Sequence, residues 1–364
     1  LGIALEVVRV QVTPGASLEQ AARNVRYQAF CERLKTGEVL LSAQHRDDQA
    51  ETLLFRLLRG AGVRGLAAMP ASRPLGRGSL VRPLLDCSRA KLQAYAQTHG
   101  MVWIEDPSNA DERFSRNFLR RQVMPLLAER WPQVTANIAR SARHVGEAQQ
   151  LLDELAAMDL ATVHGVSACP WLTLPSLDLS AVSALSDARQ RNLLRHWLAP
   201  LTRLPDSDHW AGWCDLRDAA TDAAPIWKLT DGELHRADGR LWWLSGEWLR
   251  SLDPLDLACD SFSESVELPG NGHVHLQGEL PLGRWYLRYR QGGESLQLPG
   301  RGRRDLKRLL NELRVPGFVR PRLPLLFDGD ELMAVANLSQ SSEIQAGGAT
   351  LHWSPPIGAQ GLSW

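Results

Sequence analysis

Hydrophobic residues near the start of the chain recur with two different periods, which predict strands alternating with helices. Residues 3–12, IALEVVRVQV, alternate between apolar and polar side chains as a strand does. An amphipathic helix follows, with Ser17 and Gln20 in a capping-box pattern, and it runs to about Lys35. Residues 38–44, EVLLSAQ, form a near-continuous apolar strand. A strand, a helix and a second buried strand make a βαβ unit, so the pattern predicts a parallel sheet.

The same alternation continues through the first third of the chain. An amphipathic helix, DDQAETLLFRLLR, begins directly after His45, and a strand-like run covers residues 80–85. A helix is predicted over residues 88–99 and an extended stretch over 102–106; a polar loop then leads into an arginine-rich helix. We expect Pro125 to kink or restart that helix, because proline lacks the N–H that a helix needs.

The rest of the chain is predicted to hold a long helix and two further folded regions. A helical pattern covers residues 133–160, and a stretch of little periodicity follows as a linker. The second region combines the helix DARQRNLLRHWLA with a hairpin, LTDGELHRADGRLWWLSG, that turns at an Asp-Gly pair. Seven tryptophans lie between Trp197 and Trp248, and we favour a buried core over base stacking for them. From about residue 281, strands around the basic helix RRDLKRLLNEL indicate a small α+β module.

Composition limits the class of protein. The chain has 364 residues, 44% hydrophobic and 23% charged, which is typical of two or three globular domains. Its five cysteines form no CxxC pair, which favours the reducing cytoplasm over a disulfide framework or a zinc ribbon. No run of eighteen apolar residues occurs, so no membrane span is predicted. The 41 basic and 41 acidic residues balance overall, yet residues 301–322 carry eight basic and two acidic residues.

The strongest candidate chemistry is His45, Asp47, Asp48 and Glu51, where a buried parallel strand ends and a helix begins. Ligands of open α/β sheets bind at this edge. Helical spacing puts Glu51 on one face with both aspartates. The carboxylates could hold a divalent cation, bind an ammonium group or act as bases. Acids also suit a helix N-terminus for structural reasons, but that explains only one or two of them.

Three further motifs concern an anionic partner. RGAGVRGL contains Gly60, Gly62 and Gly65, but a helix rather than a strand precedes it, so a phosphate turn and a plain helix cap both stay open. A polar loop then opens onto four arginines, which fits an anionic substrate and a solvated helix face equally well. These are Arg113, Arg116, Arg120 and Arg121. The densest basic stretch indicates nucleic-acid phosphates, and it comprises Arg301, Arg303, Arg304, Lys307, Arg308, Arg314, Arg320 and Arg322.

In combination these motifs resemble one family, bacterial tRNA(Ile)-lysidine synthetase, an ATP-dependent enzyme of the PP-loop group. The family's AxHxxDDxxET…RGxGxxGL stretch corresponds to AQHRDDQAETLLFRLLRGAGVRGLAAM, and its IEDxSNxDxxxxRNxLR stretch to IEDPSNADERFSRNFLR. Its RxxRY motif corresponds to residues 23–27, its RPLL segment to VRPLL, and its C-terminal GRxLKxLxxExxxPxxxRxxxPLL pattern to residues 302–326. Several ordered motifs with similar spacing make the resemblance specific over most of residues 1–160 and 185–340.

The resemblance implies an α/β fold. A parallel-sheet PP-loop catalytic domain, like that of the adenine nucleotide alpha hydrolases, would be followed by a mainly helical middle domain and a small α+β C-terminal domain. We expect the remainder of the ATP-binding catalytic domain in residues 1–132, a connecting helix and linker in 133–180, the middle domain in 181–250 and a basic tRNA-binding domain in 281–364. The family's ATP-binding signature, S-G-G-x-D-S, does not occur in this sequence. We therefore expect a chain that is truncated before Leu1 and inactive by itself.

The family's reaction implies ATP and Mg²⁺ as cofactors, with L-lysine and the tRNA(Ile) that carries a CAU anticodon as partners. ATP adenylates the C2 oxygen of the wobble cytidine, and the lysine amine then displaces AMP to form lysidine. By this resemblance the catalytic residues are His45, Asp48 and Glu51. The substrate-binding residues are Arg23, Arg26, Asp47, Asn109 and Arg116, and the nucleotide-side loop holds Arg59, Gly60, Gly62 and Gly65. Contacts with tRNA are expected from Arg113, Arg120, Arg121, Arg301, Arg303, Arg304, Lys307, Arg308, Arg320 and Arg322.

Three alternatives stay open at this point. Another PP-loop enzyme, for tRNA thiolation or amidation, is disfavoured because thiolation usually needs a reactive cysteine pair, and Cys31 and Cys87 are isolated in the sequence. A non-catalytic tRNA-binding remnant would keep the basic surfaces without turnover. A metal hydrolase would use His45 and the carboxylates, but no second cluster of ligands supports it.

Overall fold

The computed structural model describes residues 5–12, 18–204, 210–220, 223–259, 265–278, 280–298, 300–338, 343–344 and 349–358. Contacts divide the chain into a unit from Leu1 to Leu155 and a unit from Ala156 to Leu362, and each is described by itself. The five cysteines form no disulfide bonds with one another.

The N-terminal unit alternates helices with short strands, as the hydrophobic pattern predicts. Its elements are α1 (Leu18–Arg33), β1 (Val39–Leu41), α2 (Arg46–Leu57), α3 (Val63–Leu66), β2 (Ser72–Leu75), β3 (Gly78–Val81), α4 (Arg89–Thr98), α5 (Ser115–Phe118) and α6 (Met124–Arg130). β1 lies parallel to β3, with Val39 opposite Ser79. The chain between these two strands forms α2, α3 and β2. β2 pairs antiparallel with β3 at the sheet edge, the position that tolerates the missing N–H of Pro74.

The strand predicted at residues 3–12 is wrong over its described part, residues 5–12. That segment pairs with no strand that the structure describes, and Leu5 and Val7 are 87% and 75% exposed. Alternating side chains are not sufficient for a strand, because the backbone groups also need a neighbouring strand to bond. Residues 3–4, Ser17 and the side chain of Gln20 lie outside the described residues.

The arginine-rich helix is interrupted before Pro125, as predicted. α5 passes into a π-helical turn over Leu119–Val123, and α6 begins at Met124. Proline cannot donate to the carbonyl four residues earlier, and a wider π turn relieves that loss by changing the hydrogen-bond register. This turn carries Arg120, so the interruption decides where its side chain is directed.

The long helix predicted over residues 133–160 is α7, which runs from Val134 to Val163. It is the longest helix that the structure describes. Charged residues recur along its length, and no described helix is both long and apolar enough to cross a membrane.

The C-terminal unit begins with a four-stranded antiparallel sheet that helices accompany. The elements are β4 (Ser176–Asp178), α8 (Leu179–Ser183), α9 (Asp187–Leu198), α10 (Ala211–Asp218), β5 (Ile226–Lys228), β6 (Glu233–Ala237) and β7 (Arg240–Leu244), with strand order β4-β7-β6-β5. The predicted hairpin is β6–β7. It turns at Asp238 and Gly239, whose φ angles of +51° and +69° are those of the tight turn that Asp-Gly pairs favour.

The tryptophan-rich stretch forms core, as favoured from its sequence. All seven tryptophans between Trp197 and Trp248 are at most 8% exposed. Five of them pack in one cluster with β4–β7 and α8–α10, and Trp242 and Trp248 pack in a second cluster. Buried rings cannot stack on bases, so nucleic-acid stacking at these positions is excluded.

The remaining part of this unit is mainly strand. Its elements are β8 (Asp256–Ala258), β9 (Val266–Glu267), β10 (His273–Gln277), β11 (Trp285–Tyr289), β12 (Ser295–Leu298), β13 (Gly302–Asp305), α11 (Leu306–Glu312), β14 (Pro324–Asp328), β15 (Glu331–Val335), β16 (Glu343–Ile344) and β17 (Ala349–Ser354). They form sheets of order β15-β14-β11-β8, β16-β17-β10-β9 and β12-β13. The predicted basic helix starts later than expected. Asp305 caps α11 by accepting the backbone N–H of Arg308 at 3.0 Å, and the preceding Arg-Arg pair belongs to β13.

Candidate active site

α2 begins after His45, whose side chain and that of Asp48 cap the helix together. The backbone N–H of His45 donates to Asp48 Oδ2 at 3.0 Å, and the backbone N–H of Asp48 donates to His45 Nδ1 at 3.4 Å. This capping box satisfies two backbone donors and fixes both side chains. His45 Nε2 lies 3.5 Å from Asp48 Oδ2. Because Nδ1 accepts a hydrogen bond, we assign the proton of the neutral ring to Nε2.

Arg120 joins the two carboxylates of α2 to the π-helical turn. Its Nε and Nη2 donate to the two oxygens of Glu51 at 2.7 and 2.8 Å, and Nη2 also donates to Asp48 Oδ1 at 3.1 Å. Two parallel hydrogen bonds are the strong form of an arginine–carboxylate pair. They raise the pKa of Arg120, although burial acts in the opposite direction. The Glu51 side chain is 5% exposed and that of Asp48 22%, so a ligand reaches Asp48 more easily.

Asp47 faces a different neighbour from Asp48 and Glu51. Its Oδ2 accepts the backbone N–H of Arg89, the first residue of α4, at 2.8 Å. The same oxygen lies 3.7 Å from His45 Nδ1. Asp47 therefore anchors the start of α4, while His45, Asp48 and Glu51 come together beside Arg120.

The loop with the three glycines is held against α2. The Gln49 amide exchanges hydrogen bonds of 2.9 and 3.0 Å with the backbone of Met69, and Arg56 Nη1 donates to the carbonyls of Gly65 and Ala68 at 2.9 and 2.7 Å. A helix precedes the glycines, which excludes the strand–glycine–helix geometry of a dinucleotide-binding fingerprint. An added Cβ at Gly60 or Gly62 would meet nothing within 4 Å, so space is open beside this part of the loop.

Two of the predicted arginines near this site are paired with neighbouring acids. Arg113, 89% exposed, forms an ion pair of 2.7 Å with Asp111, and its hydrogen bonds lower the pKa of that carboxyl. Arg121 Nε lies 3.6 Å from Glu112. The predicted residues Arg26, Arg59 and Asn109 are exposed.

The basic residues of the C-terminal unit divide into an exposed and a buried set. Arg301, Arg303, Arg304, Lys307, Arg308 and Arg314 are exposed. Arg320 is half-buried, and Arg322 is 5% exposed. Arg322 donates to the carbonyls of Glu247, Trp248, Arg250 and Gly270 and lies over the Trp248 ring. The expectation that Arg322 contacts tRNA is therefore not supported, because its donors are used within the unit.

Sequence reasoning identified Arg23 and Arg116 as substrate contacts but missed the other basic residues that the structure places beside them in the N-terminal unit. Arg23 and Arg73 lie over the Tyr27 ring, 4.8 and 5.2 Å from its centroid, and Arg23 donates to the Tyr27 hydroxyl at 3.4 Å. Arg82, 4% exposed, is also close to Tyr27. We call this group, completed by Arg56 and Arg116, the arginine cluster. Burial lowers the pKa of Arg56, and the guanidinium groups of Arg116, Arg23 and Arg82 lower it further.

Only folding brings the arginine cluster together, because its members come from α1, α2, β2, the end of β3 and α5. The sequence signals were the RxxRY motif, which contains Arg23 and Tyr27, and the position of Arg82 in the RPLL segment.

The described residues do not fit a protein-bound Mg²⁺ site. They contain no group of three or more His, Cys, Asp or Glu side chains that could hold a metal ion. Asp48 and Glu51 do converge, but Arg120 already serves as their shared counter-ion.

Comparison with protein families first identifies the class. Residues 1–127 match the model of the PP-loop domain, residues 177–242 that of the TilS substrate binding domain, and residues 286–355 that of the TilS substrate C-terminal domain. The parallel β1–β3 pair and the mixed α/β architecture agree with this assignment. The chain is thus a protein of the PP-loop class with two appended domains.

Individual relatives then define the family. The chain is 62% identical to the tRNA(Ile)-lysidine synthase of Pseudomonas fluorescens, over the whole chain and 82% of that protein. It is 60% identical to that of Pseudomonas aeruginosa with the same coverage, and 38% identical to that of Coxiella burnetii over 97% of the chain and 79% of that protein. The chain belongs to the tRNA(Ile)-lysidine synthase family.

Proposed function

We propose that this protein forms lysidine by joining L-lysine to C2 of the wobble cytidine in a tRNA(Ile) with a CAU anticodon. Family membership supports the reaction. The observation that carries the assignment to this site is the pair of carboxylates, Asp48 and Glu51, that share Arg120 at the start of α2. A site that already holds a guanidinium between two carboxylates has the charge and hydrogen-bonding capacity to hold an ammonium group.

Asp48 binds the ammonium group of lysine by exchanging partners, while Glu51 holds Arg120 in place. An incoming ammonium group meets the more exposed Asp48 first and competes with Arg120 for its oxygens. Arg120 keeps its two bonds to Glu51, so the buried carboxylate is never left without a counter-charge, which would be costly. Arg120, predicted from the sequence as a tRNA contact, is thereby assigned to the lysine site.

His45 positions Asp48 and does not act as the base. Its Nδ1 accepts a backbone hydrogen bond and its Nε2 carries the proton, so the neutral ring has no acceptor left for the lysine proton. The ring fixes the carboxylate that receives the amine. An Asp48 oxygen is the acceptor nearest to the amine when the amine loses its proton.

Activation of the cytidine precedes the attack. The C2 oxygen of the base displaces pyrophosphate from ATP and becomes adenylated; the amine then forms the new C–N bond, and AMP leaves with that oxygen. Match to the PP-loop domain supports the use of ATP. Arg23, Arg26 and Arg116 with the loop of Arg59, Gly60, Gly62 and Gly65 are proposed to line the nucleotide side. No step is assigned to a Mg²⁺ ion held by these residues.

The basic surfaces would hold the tRNA. Arg301, Arg303, Arg304, Lys307 and Arg308 are exposed on the C-terminal unit, and Arg113 and Arg121 are proposed as further contacts. Asn109 is proposed as a further substrate contact. We also propose that the catalytic domain ends near residue 132, the linker near residue 180 and the middle domain near residue 250. The cytoplasm, where tRNA and ATP are available, is the proposed location.

The test is incorporation of labelled lysine into tRNA(Ile) with a CAU anticodon by the full-length product of the gene, with ATP present. We expect incorporation that Asp48→Asn and Glu51→Gln each reduce by about a hundredfold or more. Asp48→Asn removes the charged partner of the amine, and Glu51→Gln frees Arg120 from Glu51, so that it competes with the amine for Asp48. The dissociation constant for tRNA should change by less than about threefold, since neither carboxylate meets a phosphate.

Asp86→Asn is the matched control, because it neutralises an exposed carboxylate of the same unit that has no proposed role in binding. It should leave incorporation nearly unchanged. Absence of incorporation by well-folded protein would refute the proposed reaction. An equal loss of tRNA affinity and turnover in Glu51→Gln would reassign the carboxylates to the scaffold.

A further inference from the structure

The arginine cluster is unusual in its lack of acidic partners. Among the residues that the structure describes, no carboxylate lies within ion-pair distance of Arg23, Arg56, Arg73, Arg82 or Arg116. The acids closest along α2, Asp48 and Glu51, pair with Arg120 instead. Five guanidinium groups so close to each other repel, and the buried ones also lose hydration. A fold keeps such an arrangement at a cost in stability that an anionic ligand would offset.

The guanidinium groups are held in place by contacts that leave donors available. Arg82 Nη1 donates to the Pro70 carbonyl at 2.7 Å and its Nε to the Gln44 side chain. Arg56 uses Nη1 for two carbonyls, and Arg23 and Arg73 are stacked on Tyr27. An arginine has five N–H donors, so these bonds orient the planar groups without exhausting them. Preorganised planar forks suit the oxygens of a phosphate.

The cluster continues along the same helices as the carboxylate site. Asp48 and Arg56 are eight residues apart on α2, a rise of about 12 Å, and Arg116 precedes Arg120 by four residues, a rise of about 6 Å. One end of this region is therefore acidic and the other basic. A reaction that brings an amine to a phosphate-rich substrate needs an acidic end to bind the amine and a basic end to bind the phosphates.

We propose that the arginine cluster is a phosphate-binding site, in which Arg56, Arg73, Arg82 and Tyr27 join Arg23 and Arg116 in binding one or two phosphate groups of a substrate. The proposal deepens the proposed function and rests on it for the identity of the substrates. Two sources share this chemistry, the polyphosphate of the nucleotide and the phosphodiesters of the RNA. Binding measurements distinguish them without any need for turnover.

The test compares the double variant Arg23→Gln/Arg73→Gln with Arg77→Gln/Arg130→Gln. The control removes the same charge from exposed arginines of the same unit. Calorimetric titration with inorganic pyrophosphate, and anisotropy with a tRNA(Ile) transcript at several salt concentrations, give the two affinities. We expect the cluster variant to bind either pyrophosphate or tRNA about tenfold or more weakly than the control does, because it lacks charged hydrogen bonds to phosphate. If that ligand is RNA, the salt dependence should also fall by about one to two phosphates.

Loss for pyrophosphate alone assigns the nucleotide, and loss for tRNA alone assigns the RNA backbone. Equal affinities in the cluster variant and the control, for both ligands, would overturn the proposal whether or not lysine is incorporated. Thermal unfolding provides a second readout, which separates ligand binding from a structural role of these arginines. Without ligand the cluster variant should melt at the wild-type temperature or above it, because repulsion is relieved, and pyrophosphate should stabilise only the wild type if the nucleotide is the source. A lower melting temperature would assign these arginines to the scaffold; Arg73→Gln alone then repeats the binding test with less perturbation.

Discussion

The two arginine-rich regions of this protein differ in how their charges are compensated. In the N-terminal unit, Arg120 is fixed between carboxylates, while the arginine cluster is fixed by carbonyls and a tyrosine ring without acids. In the C-terminal unit, most basic residues between 301 and 322 project from the surface and Arg322 alone is deeply buried. Between residues 301 and 322 the arginines are close together in the sequence, whereas the members of the arginine cluster are spread over residues 23–116. What an arginine contributes depends on whether its side chain is buried, paired with an acid or exposed.

This difference separates three uses of one residue type. Exposed arginines contribute to long-range attraction of a polyanion, which salt weakens. Preorganised arginines bind particular phosphate oxygens. A buried arginine that donates to several backbone carbonyls, as Arg322 does, contributes to folding, and substitution there should change stability before it changes binding.

The largest expected effect is on Arg322. Arg322→Ala removes the donor of several buried carbonyls and should lower the free energy of unfolding of this unit by about 3 kcal/mol or more. Denaturant unfolding followed by tryptophan fluorescence measures it, because Arg322 lies over Trp248. Arg308→Ala, at an exposed position, should change the free energy by less than about 0.5 kcal/mol. If Arg322→Ala unfolds like the wild type but binds tRNA poorly, the distinction between buried and exposed arginines fails.

The next effect concerns the exposed basic residues. The triple variant Arg303→Gln/Lys307→Gln/Arg308→Gln should weaken binding of a tRNA(Ile) transcript by about tenfold or more and reduce the salt dependence by about two to three phosphates. Arg191→Gln/Arg250→Gln/Arg284→Gln removes the same charge elsewhere in the unit and serves as the control. Equal losses in both triple variants would mean that net charge, and not this surface, governs binding.

The smallest effect tests a paired arginine. Because the carboxyl of Asp111 has a lowered pKa, it is ionised at neutral pH and neutralises Arg113. Asp111→Asn should therefore release Arg113 and raise tRNA affinity by about twofold, the scale of an exposed ion pair. Adding Arg113→Gln should abolish the gain, and Asp86→Asn controls for the loss of one negative charge. A gain that survives Arg113→Gln would exclude Arg113 as a phosphate contact.

Local signals predicted most helices and the β6–β7 hairpin well. α1, α2, α4, α7 and α9 lie where periodicity and caps placed them, since each signal acts within a few residues. Strands were less predictable. Residues 5–12 have strand-like alternation without a described partner, and β2 was not predicted. Strand formation depends on a neighbour distant in sequence, which one segment cannot specify.

The candidate site was likewise predictable where its residues are close in sequence and unpredictable where they are distant. His45 was identified because it follows a buried strand directly, and Asp48 and Glu51 because helical spacing puts them on one face. The catalytic roles of the two carboxylates stay predictions, and His45 is now proposed to position Asp48. The sequence did not reveal that Asp47 would anchor α4, or that Arg120 would reach across from a π-helical turn to Glu51. These contacts join residues that are 42 and 69 positions apart.

The sequence by itself determined the family, the order of the helices, the buried tryptophans and the acidic start of α2. Each of these depends on local periodicity, composition or motif spacing. Tertiary structure alone decided which arginines are paired, which are buried and which meet around Tyr27. Charge–charge and hydrogen-bonding energies depend on distance and burial, and both are set by how α1, α2, β2 and α5 pack together and not by their order along the chain.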